Sequence, residues 1–406
     1  MALELIVVCL IWVFFWLLVL GFRYRQVMTA CWKEPLLRRP ILIFESDDWG
    51  PGRADDARQL NLIANLFSRY SDSLGRNPVM TLGVILAVPN SLRIKASGYK
   101  IYYCETLGEA KYSSILKEIK HGIEKGVFST QLHGMEHYWP KNLMKALNVN
   151  DDIKSLLDID FPLRTELLPD TLQSRWPGEA AHVHSLTRVE VDMAVAEETR
   201  TFTDLFSQVA TVVVPPTFVW FEQVELSWHS AGLKYLVTPG FIATGRDELG
   251  VMGVGKQLIY NGMKSTSGLI YIVRNNYFEP LRGHTVTQAM ESLAENTKLG
   301  RPTLLETHRF NFCDDEVQSK DSLAKLEQCL ERAKLNHPGL CFISTSELGG
   351  MYVDPCCAGS LVDRRISKRI LVFMARLWAC DAMRKWLYIS GIFILVKTLS
   401  VANTWR

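Results

Sequence analysis

The chain has 406 residues, 48% of them apolar, with 45 Lys and Arg against 43 Asp and Glu. That length and apolar content suffice for one large α/β domain or two ordinary ones with a substantial core, which excludes a disordered chain. A formal net charge of +2, with basic residues scattered and forming no aromatic-interleaved stripe, excludes a nucleic-acid binder.

From Leu5 to Phe22 the sequence LIVVCLIWVFFWLLVLGF carries no charge. At about 1.5 Å per helical residue it nearly spans a hydrocarbon core. We read residues 1–25 as an uncleaved transmembrane anchor in a lipid bilayer. A cleaved signal peptide is the competing reading; against it stand the length of the run, the lack of Lys or Arg before it and the lack of a clean small-x-small site after it. Arg23, Arg25, Lys33, Arg38 and Arg39 follow the segment, and this asymmetry taken alone leaves the main domain in the cytoplasm.

Beyond the anchor, short β-branched runs alternate with longer helical stretches, the pattern of repeated βα units around a parallel sheet or barrel. The expected strands are 41–45, 79–88, 127–132, 210–214, 233–238, 268–273, 302–307 and 340–346. The expected helices are 54–69, 112–125, 187–206, 285–297 and 321–336, with Gly or Pro in most gaps. Residues 142–184 are polar, contain Pro162, Pro169 and Pro177, and lack a strand pattern, so they read as an insertion over one face. The central domain is expected over 40–354.

The last segment, 360–406, mixes basic residues with Trp, Phe, Leu and Ile at near-helical spacing, as an interfacial amphipathic helix does. Its apolar piece Leu387–Val396 is short for a span, and a helix docked on the domain's own core is the alternative. The nine cysteines are irregularly spaced without a CxxC pair, which argues against a disulfide framework or a cysteine zinc site. Cys356 and Cys357 beside the basic tail suit palmitoylation, an ordinary thiol pair being the other reading.

Polar groups at the carboxyl ends of parallel strands gather at one rim, where sites are built. Asp47 and Asp48 end the first strand, HGMEH (His133 to His137) the third, PPTFVW (Pro215 to Trp220) the fourth and THRFNF (Thr307 to Phe312) the seventh. Two imidazoles four residues apart can face one ion, and with one aspartate they make a two-histidine, one-carboxylate site with positions open for water and substrate. The second aspartate then stays ionised beside the cation and serves as a base. The alternative for Asp47 and Asp48 is capping of the next helix. Glu45 and Glu136 read as supporting or exposed carboxylates, and His182 and His184 as surface residues.

A strand ending in Asp-Asp, then His-x-x-x-His, a Pro-containing strand end and a late strand ending in His resembles the NodB-homology polysaccharide deacetylases, carbohydrate esterase family four. The resemblance covers most of residues 40–348. It implies a distorted (β/α)7-type barrel and metal-dependent removal of N-acetyl groups from a sugar, either a lipid-linked glycan (glycolipid) or an envelope glycan. It implies Asp47 as base, Asp48, His133 and His137 as ligands of a divalent ion (Zn²⁺, with Co²⁺, Ni²⁺ or Mn²⁺ as alternatives) and His308 as general acid. The family works outside the cytoplasm, opposite to the charge asymmetry.

Three departures stand out. Gly134 replaces a usual Ser or Thr, Trp49 lengthens the first motif by one residue, and Val214 stands where an Arg commonly supports the base. Arg309 or Arg53 is the expected substitute for that Arg. Trp49, Pro216, Trp220 and Arg309 are the candidates for substrate contact, with Trp139 a further stacking residue; core packing is the other reading of each Trp. A hydrolase of another amide, ester or glycosidic bond, and a silent glycan- or lipid-binding membrane protein, stay open beside the deacetylase, and the oligomeric state is left undefined.

Overall fold

The computed structural model of the chain describes residues 2–158, 162–178, 186–246, 251–255, 257–357, 359–391 and 393. Its centre is a parallel sheet whose strands are β1 (Ile41–Trp49), β2 (Met80–Val84), β3 (Phe128–Leu132), β4 (Val212–Val213), β5 (Tyr235–Thr238), β6 (Ile270–Val273), β7 (Asn276–Tyr277), β8 (Thr303–His308) and β9 (Cys341–Phe342). The order is β6-β5-β4-β3-β2-β1-β8-β7, with β9 pairing the start of β1. All eight expected strands occur, because runs such as ILIF and TLLE are apolar enough to be buried on both faces, as a parallel strand between helices must be.

The ninth, β7, closes the sheet. β6 pairs β5 and β7 pairs β8, so one stretch of chain, broken only at Arg274 and Asn275, hydrogen-bonds to both edges of the curl. This gives a curled parallel half-barrel sheet, the α/β part of the expected architecture, wrapped by helices Ala54–Phe67, Ser113–Glu124, Arg188–Phe206, Val286–Lys298 and Glu316–Asn336. Thr187 and Glu190, and Thr285 and Gln288, form reciprocal capping boxes that start two of them. The main core fills the space between sheet and helices with Phe44, Phe67, Trp220, Trp228, Phe312 and Phe342, among others.

The expected insertion is helical in part, with Pro140–Val149 and Asp151–Leu156 around a satellite core of Tyr138, Leu143, Leu147, Ile153 and Leu172. His182 and His184 lie outside the described residues.

The transmembrane anchor expected over residues 1–25 is not shown by the structure. Among the described residues no single helix is long and apolar enough to cross a membrane; the segments Ile11–Arg23 and Arg25–Lys33 pass such a test only together, bent by 87°. The bend at Tyr24 follows from packing. Trp16 stacks near Trp386 with ring centroids 6.0 Å apart, and Trp12 Nε1 donates to the Ser390 carbonyl at 3.0 Å. The tail helices Ile366–Ala379 and Asp381–Ser390 thus pack on the N-terminal pair around Leu20, Cys31, Leu377, Met383 and Leu387. Among the described cysteines none forms a disulfide.

Arg376, 3% exposed, ties this assembly to the barrel. Its guanidinium donates to the carbonyls of Leu299, Cys31, Glu34 and Pro35 at 2.9–3.1 Å and lies 3.6 Å from the Glu34 carboxylate. Replacing it by alanine strands buried acceptors and part of a buried charge. We expect Arg376→Ala to lower the unfolding free energy by about 2–4 kcal/mol in urea titrations, and Arg376→Lys to recover only part.

Candidate metal centre and its flanking acid and base

Adjacent residues on a regular strand point to opposite faces, yet Asp47 and Asp48 both reach the barrel mouth. The reason is a bulge: Ser46 pairs Leu82 and Trp49 pairs Val84, so Asp47 and Asp48 together oppose Gly83. Asp48 carries the distortion, with φ of 68°, in a region a non-glycine residue adopts rarely. Gly83 is required opposite, since a Cβ there would sit 2.2 Å from Asp47 Oδ1.

His133 follows β3 directly and His137 lies one tight turn later, their rings 5.0 Å apart. Gly134 permits that turn with φ of 94°; this accounts for glycine where the resemblance leads one to expect Ser or Thr. Each ring is oriented by a backbone carbonyl. Nδ1–H of His133 donates to Val214 O at 2.9 Å, and that of His137 to Gln173 O at 2.6 Å, the latter supplied by the insertion. Both Nε2 lone pairs are therefore left for the Asp48 side, with Oδ1 at 3.4 and 3.7 Å.

Asp48 Oδ1 and His133 Nε2 are buried without a hydrogen-bond partner, a costly arrangement for polar atoms. One carboxylate oxygen and two imidazole nitrogens within 4.8 Å of one another fit a divalent cation of the zinc class. Burial pushes the His137 ring down to about 4, into the neutral form a ligand requires, whereas at His133 burial is outweighed by the neighbouring Asp47 and Asp48 carboxylates, which raise it.

Asp47, Glu306 and His308 also cluster within 4.8 Å, but there a cation is already built in. Arg274, 3% exposed, donates to Asp47 at 2.5 and 3.3 Å and to Glu45 at 2.6 Å, and lies 3.5 Å from Glu306. Burial opposes charge on Asp47, yet the Arg274 guanidinium holds its carboxyl below the ordinary range. Arg274 is thus the support that Val214 does not provide. The expectation that Arg309 or Arg53 would do so is corrected: Arg309 turns away to Asp56 at 3.5 Å, and only its backbone N–H touches Asp47, through the carbonyl. Glu45 is fully buried and also accepts from Thr345; Glu136, likewise buried, accepts from Arg175 at 2.5 Å and Tyr102 at 3.0 Å.

His308 sits opposite Asp47 across the β1–β8 pair. Its Nδ1 is bonded to Glu279, and its Nε2 lies 3.8 Å from Glu306. Burial works against the charged ring, but Glu279 first, then Asp48, Glu306 and Asp47, raise it to about 9. Glu279 has no motif around it in the sequence; its approach to His308 is made by the turn after β7.

A cavity of about 260 Å³ joins these groups; its lining includes Asp47, Asp48, His133, His137, Glu306 and His308. Its aromatic wall is Phe218, Tyr277 and Phe310. Thr217 and Phe218, both lining it, have φ of 53° and 56°, and such strain concentrates at functional sites. The expected stacking residues lie elsewhere. Trp49 and Trp220 are fully buried, donating to Ser46 at 2.8 Å and Glu225 at 2.7 Å; Trp139 borders a different cavity, and Pro216 is buried behind Pro215 and Thr217.

No protein-family model matches the sequence, and no curated protein matches it. The chain aligns at low identity with solved structures that include polysaccharide deacetylases. A putative polysaccharide deacetylase from Mycobacterium smegmatis aligns over 82% of this chain and 98% of its own at 10% identity, with a TM-score of 0.40. The Xyl-CE4 domain of a xylanase from the hindgut metagenome of Trinervitermes trinervoides aligns over 80% and 96% at 10% identity and a TM-score of 0.36. A 4-alpha-glucanotransferase from Thermococcus litoralis aligns over 90% of this chain and 47% of its own, at 12% identity and 0.39. Likenesses at this level say nothing of activity, which has to be read from the side chains.

Two outcomes follow from the geometry. Zinc titrated into the purified protein is expected to bind at one site by calorimetry, and Asp48→Ala, His133→Ala or His137→Ala each to weaken it at least about tenfold. In Glu279→Gln the His308 ring loses its main partner, so its NMR titration midpoint is expected to fall by about one to three units from about 9.

Proposed function

We propose that the protein is a metal-dependent carbohydrate N-deacetylase that removes acetyl groups from an N-acetylated glycan or glycolipid. One observation carries the reading: a carboxylate held ionised and an imidazole held protonated stand side by side on paired strands and line one cavity, with a three-ligand cation site beside them. Titratable groups pushed in opposite directions at one cavity are the mark of an assigned base and acid.

Asp48, His133 and His137 would hold the divalent ion, Zn²⁺ by ligand type, with Co²⁺, Ni²⁺ or Mn²⁺ compatible. When bound, such an ion supplies Lewis acidity toward a carbonyl oxygen. The chain's own groups do the rest. Asp47, with its charge fixed by Arg274, takes a proton from the attacking water. His308, kept as imidazolium by Glu279, delivers a proton from Nε2 to the departing amide nitrogen, which cannot leave as an anion. Glu279 fixes the ring so that Nε2 and not Nδ1 faces the cavity. Tyr277, half exposed, with Phe310 and Phe218, offers flat apolar faces of the kind that stack on sugar rings.

The decisive assay is acetate release from N-acetylglucosamine oligomers, with and without chelator. Asp47→Asn and His308→Ala are each expected to lower kcat about 10²–10⁴-fold while leaving zinc bound. Because His308 is raised to about 9, its acid form is complete through neutral pH, and activity is expected to decline only as pH rises through about 9. Zinc binding without acetate release from any N-acetylated sugar would remove the deacetylase reading and leave the metal site.

A further inference from the structure

The terminal helices carry an apolar surface that the described residues leave bare. On Ala2–Arg23, Ile11 and Phe14 are each 63% exposed, Leu18 58% and Phe22 91%. Their spacing of three and four residues places them on one stripe, with Phe15, 52% exposed, beside it. The opposite side of the same helix is committed: Trp16 meets Trp386, and Leu20 enters the buried cluster with Met383 and Leu387. The stripe therefore belongs to a docked helix. Such side chains left in water forgo the gain of burial, and a contiguous patch of this kind marks an interaction surface.

The surrounding charge indicates what covers it. Arg23, Arg25 and Lys33 follow the stripe and are exposed, and Arg384 and Lys385 are exposed on the helix against which it packs. Asp381 is the one acid on that helix, and it is paired with Arg384. Trp12 at 51% and Tyr388 at 51% add half-exposed amphipathic rings, side chains suited to a headgroup layer. Apolar side chains bordered by cations and amphipathic aromatics match a bilayer with anionic lipids.

We propose that the packed terminal helices form a membrane-docking platform, in which the outward stripe of Ala2–Arg23 enters an anionic bilayer and the neighbouring basic residues contact the headgroups. This surface is built from both ends of the chain and is independent of the hydrolase site.

The test is flotation of the full chain with vesicles of phosphatidylcholine alone or with phosphatidylserine. The natural sequence is expected to float with both and at least about tenfold better with phosphatidylserine. Phe14→Glu with Leu18→Glu, at exposed positions, is expected to abolish flotation while leaving the circular-dichroism melt unchanged. Arg25→Glu with Lys33→Glu is expected to remove only the phosphatidylserine preference. The proposal is overturned if the natural sequence stays at the bottom of the gradient or if the Phe14/Leu18 variant floats equally well. It is also overturned if light scattering shows a dimer that this variant dissociates and that does not float.

Discussion

The guanidinium of Arg274 is the constraint on which fold and site both depend. It occupies the break between β6 and β7, the point at which one stretch of chain turns from pairing β5 to pairing β8. From there it holds Glu45 and Asp47 of β1 and approaches Glu306 of β8. Three buried carboxylates around one buried cation are tolerable only with such geometry, because each unpaired charge in the interior costs several kcal/mol. The ionisation of the base follows from that contact, which is made where the chain passes from β6 to β7.

Around that contact, the chemistry is arranged by backbone irregularities as much as by side chains. A bulge turns two consecutive aspartates to one side, at the expense of a left-handed Asp48. Two carbonyls, one from the strand end at Val214 and one from the insertion at Gln173, choose the tautomer of the histidines. The insertion is thereby part of the site, although in the sequence it reads only as a cover. On the neighbouring strand β8, Glu279 does for His308 what Arg274 does for Asp47: each partner stabilises the charged form, and the two shifts run in opposite directions.

The terminal segments obey a different rule. The apolar N-terminal run lies within one helix, Ala2–Arg23, which ends at the bend at Tyr24, and its Trp12, Trp16 and Leu20 find partners on Asp381–Ser390. Arg376 locks the result to the barrel through backbone carbonyls from two separate segments, residues 31–35 and Leu299. Composition alone does not distinguish a helix that crosses a bilayer from one that docks on its own chain with one face left apolar.

What the sequence by itself determined is everything governed by local periodicity and spacing. The β-branched apolar runs marked the sheet strands, amphipathic stretches marked the surrounding helices, and the aspartate pair with His-x-x-x-His and a late His marked the residues that meet at the cavity. These were legible because burial on both faces, helical period and ligand spacing are written into neighbouring residues. Arg274 in IVRNNYF and Glu279 beyond it carry no local signal. Their partners Asp47, 227 residues away, and His308, 29 residues away, reach them only through barrel closure. The same holds for Trp49 and Trp220, whose aromatic rings suit a sugar or a core equally well, and only the tertiary packing put them in the core. Side-chain chemistry tells which interactions a residue can make; which one it makes depends on neighbours that only the closed fold brings within reach.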